Sequence, residues 1–380
     1  MKAHDLRELE TPCLILELSR MDANIETMRQ RMKRFGVPLR PHVKTPKSID
    51  VVRRVLDDRT TGITVSTLKE AEYFFRNGIR DILYAVGIAP GKLEHVGKLR
   101  KQGANVAIIL DTVEQAELAA ARGKEMGITI PCLIEIDSDG HRSGVKPSDP
   151  LLVDIARRLH ILDGVECRGV ITHAGESYHC KTTDEIRIMA ERERRAAVDG
   201  ATRLKDLGLP CPIVSIGSTP TATFGEHFDG VTEVRAGVYV FQDLVMVGLG
   251  VCLTHDIAIS VLASVIGCQK DKGWLITDAG WMALSRDRGT AGQTVDQGYG
   301  LVCDASGQPI EDLIVAMTNQ EHGILIDRRG RLNFERFPIG TQLRILPNHA
   351  CATAAMFDRY YVVDGSMRII DMWMRFGGWE

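Results

Sequence analysis

The sequence contains no CxxC pair. Its nine cysteines (Cys13, Cys132, Cys167, Cys180, Cys211, Cys252, Cys268, Cys303 and Cys351) are scattered and odd in number. That excludes a disulfide framework and fits a reducing compartment. No uninterrupted apolar run reaches the ~20 residues of a spanning helix, and the first ten residues, MKAHDLRELE, hold no apolar signal core. Charge of one sign is also missing: 47 Lys+Arg against 50 Asp+Glu leave a formal charge of −3. That balance gives no reason to expect nucleic acid or an anionic membrane as partner. There is no internal repeat and no low-complexity linker. No GxGxxG follows the first strand-like run, so the usual dinucleotide fingerprint is lacking. These absences point to a cytoplasmic location.

What is present is ordinary globular material: 380 residues, 44% apolar and 26% charged. Such a chain buries a large core, in two or three domains unless a barrel absorbs most of it. A strand is expected at 12–18 and a helix directly after it. Strand-like runs then recur at 38–43, 62–67, 81–86, 106–111, 132–137, 167–173, 212–217 and 233–239. Amphipathic stretches separate most of them. Eight strands alternating with helices predict a (β/α)8 TIM-like barrel, although the link 218–232 is too short for a long helix. After about residue 245 the pattern changes to strands punctuated by Gly, Asp and Asn, as in HGILI, TQLRIL and YYVVDG. The expected layout is an N-terminal segment, 1–19, packing on a C-terminal β domain, a barrel over 20–250, and the β domain over 251–380.

Ligands of such barrels sit at the C-terminal strand ends. His42 and Lys44 end the first barrel strand, and alternation places them on one face. Ser66 and Thr67 end the second. Asp137, His141 and Arg142 follow the fifth, His173, Tyr178 and His179 the sixth, and Gly217, Ser218 and Thr219 the seventh. Gly237, Val238 and Tyr239 end the eighth. GSTPT lies where barrels often bind phosphate through backbone N–H groups and hydroxyls, yet it also reads as a polar turn. Lys44 can form an imine with an aldehyde, or serve as surface charge. Arg142 beside a pyridine nitrogen would keep it unprotonated, and it could equally close a salt bridge in its turn. His173, Tyr178 and Tyr239 could be core residues. In TDAGWMALSRDRGT, Asp278 and Trp281 suggest a loop facing a ligand or a structural salt bridge, and His322 in NQEHG reads as structural.

LPNHACATAAM, 346–356, sets His349 and Cys351 two positions apart beyond the strand TQLRIL. If the extended geometry continues, both point the same way and can share a metal. Two ligands do not complete a site.

On these residues the chain resembles the fold-type III pyridoxal-phosphate enzymes, the alanine racemase-like barrels. It is similar to their branch of dehydratases and aldolases acting on β-hydroxy D-amino acids. RPHVKTPKS resembles the Schiff-base segment, which makes Lys44 the cofactor lysine. DGHRSGV resembles the segment whose arginine, here Arg142, faces the pyridine ring. GSTPT and RAGVYVF resemble the phosphate-binding segments. The resemblance implies Lys44, His173 and Tyr178 as catalytic candidates. It implies Lys44, Arg142, Tyr178, Gly217, Ser218, Thr219, Gly237, Val238 and Tyr239 around pyridoxal 5'-phosphate. The branch is metal-dependent, and its metal pair falls on His349 and Cys351. Dehydratases of the branch carry His-x-Cys there and bacterial D-threonine aldolases His-x-Asp. Zinc suits the pair, with manganese or cobalt as alternatives. The activity implied is dehydration of D-threo-3-hydroxyaspartate to oxaloacetate and ammonia. The alternatives are D-serine or D-threonine dehydration, or D-threonine cleavage to glycine and acetaldehyde. His141, Arg286 and Arg288 are candidates for meeting a β-carboxylate. A homodimer is the assembly the resemblance implies.

Overall fold

The computed structural model describes residues 4–60, 62–140 and 142–379. They divide into two compact units, one from 28–237 with 378–379, the other from 4–27 with 238–377.

The chain opens with β1 (Cys13–Glu17) and α1 (Leu18–Phe35), and α1 crosses from one unit into the other. The larger unit continues with β2 (Leu39–Pro41), α2 (Ile49–Val55), β3 (Ile63–Val65), α3 (Leu68–Arg76), β4 (Asp81–Gly87) and α4 (Leu93–Lys101). It goes on through β5 (Asn105–Leu110), α5 (Val113–Met126), β6 (Ile130–Glu135), α6 (Pro150–Ile161), β7 (Val165–Ile171), α7 (Thr183–Asp206), β8 (Ile213–Ile216), α8 (Thr219–Phe224) and β9 (Glu233–Ala236). The strands pair in parallel in the order β2-β9-β8-β7-β6-β5-β4-β3. An isolated parallel bridge between His42 and Thr64 closes the ring. All eight expected barrel strands are present, and the 218–232 link holds only the six-residue α8.

Local sequence explains why these runs fold as they do. The strands are short runs, buried over most of their length, as parallel strands covered by helices must be. Leu83, Ile109, Leu133 and Ile171, one from each of four consecutive strands, meet in a buried cluster. Helix starts carry their own signals: Thr112 caps α5 in a reciprocal box with Gln115, and Ser218 caps α8 with Thr221. Thr67 caps α3 by accepting from the Glu70 N–H. Arg40 in β2 is buried between Glu233, at 2.8 Å, and Asp81, at 2.9 Å.

The smaller unit joins β1 to α9 (Leu244–Gly248), β10 (Ile259–Gln269), β11 (Trp274–Thr277), α10 (Trp281–Leu284), β12 (Leu301–Asp304) and β13 (Pro309–Thr318). After these come β14 (Gly323–Asp327), β15 (Gln342–Leu346), α11 (Ala350–Ala354), β16 (Arg359–Val363) and β17 (Ile369–Met374). One nine-stranded sheet runs β11-β14-β13-β12-β15-β10-β1-β16-β17, and a further β10–β11 pairing closes part of it into a barrel. The N-terminal strand is therefore integral to the C-terminal β unit, antiparallel to β10 and parallel to β16. A buried ion pair fastens it: Arg344 Nη1 reaches Glu17 Oε1 at 2.6 Å, and the Gly365 N–H donates to Glu17 Oε2 at 3.1 Å. The hairpin β12–β13 is an addition to the strands expected from sequence. Its turn, DASGQ, separates one short apolar run from one that begins with PIED, so neither stretch stands out by alternation alone. Among the described residues no helix is long and apolar enough to cross a membrane.

Candidate functional site

In the barrel unit, the chain leaves β2 at Pro41 and turns at once. The Lys47 N–H donates to the Val43 carbonyl at 2.9 Å, closing a turn that contains Lys44. Lys44 therefore sits on a turn, not at an alternating strand position, and its side chain is exposed. The turn is held from below. Lys47 is buried with a positive φ of 42° and pairs with Glu70 at 3.0 Å. Gly237 lies so close that a Cβ there would come within 2.9 Å of the His42 carbonyl oxygen, so only glycine lets β9 end against this turn.

His42 and His173 flank the same mouth, and both are driven toward the neutral form. Burial lowers the pKa of His42 well below its ordinary value, helped by Lys44, Arg235 and His173. Burial lowers His173 to about 3, against the hydrogen bond it donates to the Gly217 carbonyl and aided by Lys44, Arg142 and Arg235. His173 Nδ1 lies 2.9 Å from the Gly217 carbonyl oxygen. A carbonyl can only accept, so Nδ1 carries the proton and Nε2 keeps its lone pair. Tyr178 ends a 3-10 turn, Gly175–Tyr178, with its ring 6.2 Å from that of His173. Arg142 is exposed and lies 3.6 Å from Glu135. His141 lies outside the described residues.

Around GSTPT two of the expected N–H groups, those of Gly217 and Ser218, have partners inside the protein. The Gly217 N–H donates to Glu193 Oε1 at 3.0 Å, and the Ser218 N–H to Thr221 Oγ1 at 3.0 Å. The Ser218 hydroxyl lies 2.9 Å from that of Ser177. Gly217 itself has φ +136°, and a Cβ would stand 2.1 Å from the Arg235 carbonyl oxygen. Arg235, buried in β9, bonds Ser215 Oγ at 2.5 Å and the Thr172 carbonyl. Burial lowers its pKa to about 10, yet the guanidinium remains charged at neutral pH.

In the β unit, the strand geometry expected through LPNHACATAAM stops at His349. His349 is extended (φ −133°, ψ 109°) and is the N-cap of α11, so Cys351 stands in helix. The period-two argument therefore fails, because Ala350 begins a helix where a strand residue was expected. The two side chains nevertheless interact directly. His349 Nδ1 donates to Asp287 Oδ2 at 2.7 Å, which leaves Nε2 as the nitrogen able to bind a metal. The Gly289 N–H holds the other Asp287 oxygen at 2.9 Å. Buried Asp243 accepts the Ala350 N–H at 2.9 Å, fixing the backbone between the pair. Burial alone would lower the pKa of His349, but Cys351, Asp287 and Asp243 outweigh it and raise it to about 11. Among the described residues no group of three or more His, Cys, Asp or Glu side chains converges as a metal site.

Other candidates have structural occupations. Val238 and Tyr239 are buried in a 3-10 turn, Val238–Val240. Arg288 pairs with Asp296 at 2.6 Å, and Arg286 stacks on Trp281 at 4.0 Å. Asp278 accepts from the Ser264 N–H at 2.8 Å and from the Thr11 hydroxyl at 2.5 Å. Four residues with a hand in these sites escaped the sequence reading: Glu193, Arg235, Asp243 and Asp287. Arg235 and Asp287 stand inside RAGVYVF and TDAGWMALSRDRGT. Glu193 lies in ERERR, which reads as a solvated helix face.

The chain matches the model "Alanine racemase, N-terminal domain" over residues 16–244 and "Putative serine dehydratase domain" over residues 258–363. It is 53% identical over 380 residues to the D-threo-3-hydroxyaspartate dehydratase of Delftia sp. (strain HT23), covering 98% of this chain and 99% of that protein. It is 32% identical to the D-serine dehydratase of Dictyostelium discoideum, covering 97% and 96%. A solved cysteine-to-alanine variant of D-threo-3-hydroxyaspartate dehydratase in the metal-free form superposes with a TM-score of 0.96 at 52% identity, over 99% of this chain and all of that one.

Proposed function

Because the chain belongs to the alanine racemase-like barrel family, with a match to the putative serine dehydratase domain later in the sequence, we propose that it dehydrates D-threo-3-hydroxyaspartate to oxaloacetate and ammonia. The reading takes pyridoxal phosphate and a divalent metal as cofactors, with zinc preferred. Its specific substrate follows the Delftia relative, similar over nearly the whole length of both chains.

The residues fit both groups. The exposed Lys44 amine stands in a mouth whose two histidines are neutral and whose arginines, Arg142 and Arg235, are cationic. That field suits an anionic, electron-withdrawing cofactor. His349 Nε2 and Cys351 Sγ are a nitrogen and a sulfur donor, the set a borderline-soft ion such as zinc prefers. Asp287 holds the outer ring nitrogen, as carboxylates do behind metal-bound histidines.

Pyridoxal phosphate supplies an aldehyde for amine capture and a ring that disperses charge from the α-carbon, and the metal supplies a Lewis acid for a departing hydroxyl. Lys44 would hold the cofactor and, once freed, receive the α-proton on Nζ. Arg142 would face the pyridine nitrogen. Gly217, Ser218, Thr219, Gly237, Val238 and Tyr239 would line the phosphate end, with Tyr178 beside the ring. His173 stays neutral, with Nε2 open to accept a hydrogen bond. Its low pKa makes it a poor base, so proton removal falls to Lys44. His349 and Cys351 would hold the metal. The observation that carries the elimination reading is the sulfur donor: Cys351 stands where the branch's aldolases have aspartate. Homodimer formation and a cytoplasmic location complete the proposal.

The test is turnover of D-threo-3-hydroxyaspartate, D-serine and D-threonine before and after chelation, with product analysis. Oxaloacetate should dominate from the first substrate, and D-threonine should give 2-oxobutanoate. Glycine and acetaldehyde as main products from D-threonine would overturn the dehydratase reading. Full activity after complete metal removal would overturn the metal's role.

A further inference from the structure

We propose that Glu193 is a positioning residue for the cofactor's phosphate end, acting through the backbone of the sixth and seventh barrel loops. The inference rests on the pyridoxal-phosphate reading above and adds a residue to it.

Glu193 lies midway along α7 and is fully buried. A single oxygen, Oε1, accepts two backbone N–H groups, that of Ala174 at 2.9 Å and that of Gly217 at 3.0 Å. Ala174 directly follows His173, and Gly217 opens GSTPT. The same two loops are tied again by His173 Nδ1, which donates to the Gly217 carbonyl at 2.9 Å. The two peptide groups flanking Gly217 are thus each gripped once, the preceding one by Glu193 at the Gly217 N–H and the following one by His173 at the Gly217 C=O. Its conformation, φ +136°, has no intrinsic preference to hold it there once those bonds are gone. Ser218 and Thr219 inherit their direction from this residue, and Ser218 is further bonded to Ser177 on the sixth loop.

A carboxylate behind an anion site would normally repel the anion. Two features lessen that cost here. Burial raises the proton affinity of Glu193, and the buried Arg235 guanidinium lies in its field. What remains is the geometric role: one acceptor oxygen serving the N–H groups of two buried residues, Ala174 and Gly217.

The experiment compares pyridoxal 5'-phosphate with pyridoxal, which has the same aldehyde but no phosphate, as ligands of the apoprotein, titrated by imine absorbance. Wild-type protein should bind the phosphate form far more tightly. E193Q keeps the accepting carbonyl oxygen and should keep that preference within about twofold. E193M keeps the volume and removes the acceptor. It leaves two buried N–H groups unpaired, which should weaken pyridoxal-phosphate binding by about tenfold or more while pyridoxal changes little. If E193M does not fold, E193D, too short to reach both amides, carries the same comparison. An unchanged phosphate preference in a folded E193M or E193D overturns the proposal, as does equal weakening toward both ligands. Wild-type protein that binds the two ligands equally overturns the cofactor reading itself.

Discussion

His173 and His349 each bond an oxygen through Nδ1, and the two environments push them in opposite directions. At the barrel mouth the partner is a neutral carbonyl and the neighbours are cations. Burial therefore prevails and His173 falls to about 3. In the β unit the partners are a thiol and two carboxylates, and His349 rises to about 11 despite its burial. One region sets the cationic Lys44, Arg142 and Arg235 around a neutral histidine, and suits a phosphorylated aldehyde. The other gathers negative charge around an N/S donor pair, and suits a divalent cation. Burial is common to both regions. The sign of the neighbouring charges decides the direction of each shift.

Four changes test that contrast, in order of expected effect. Lys44→Ala removes the amine at the positive end. Turnover should fall about 10³-fold or more, and imine absorbance should vanish; absorbance retained in this variant would sink the assignment of Lys44. Cys351→Ala removes a donor at the negative end. The purified protein should carry little metal by elemental analysis, with turnover down about 100-fold or more. A full complement of metal in that variant would mean that the donors lie elsewhere.

Asp287→Ala leaves both donors but frees the ring of His349. Zinc affinity, measured by chelator competition, should weaken about 10- to 100-fold, while pyridoxal-phosphate binding stays as it was. If both ligands weaken together, the two regions are not separable in the way the charges suggest.

The smallest effect is on pH dependence. His173 has a folded pKa of about 3, against about 6.5 in an unfolded chain. Between those values the unfolded chain binds a proton that the folded one does not. Stability from this group is present above about pH 6.5 and is lost as pH falls toward 3. His173→Asn should flatten that part of the slope when urea midpoints of the apoprotein are followed between about pH 4 and 6.5. An unchanged slope would mean that His173 is not held neutral in the native state.

Much of the barrel was legible because its strands are local events. Each is a short apolar run bounded by a turn, and each was placed from sequence to within a few residues. Lys44 was legible for the same reason, as a lysine just past the first barrel strand. The hairpin β12–β13 was not, since polar residues interrupt its alternation. Glu193 was hidden because α7 is dense in Glu and Arg. A helical period places residues on a face, but it does not say that one glutamate of ERERR turns inward to two strand ends. At 346–356 the pair was legible and its geometry was not: the run TQLRIL predicted continued extension, and helix capping at His349 ended it.

The order of residues by itself determined the alternation of strands and helices, the lysine at the first strand end, and a histidine and a cysteine two apart. These depend on neighbours within a few positions, where backbone propensity and side-chain period act. The charge environment of each site depended on the tertiary structure. Asp287 reaches His349 across 62 positions, and Gly217 reaches His173 across 44. Electrostatic interaction depends on distance and solvent exclusion, and folding sets both.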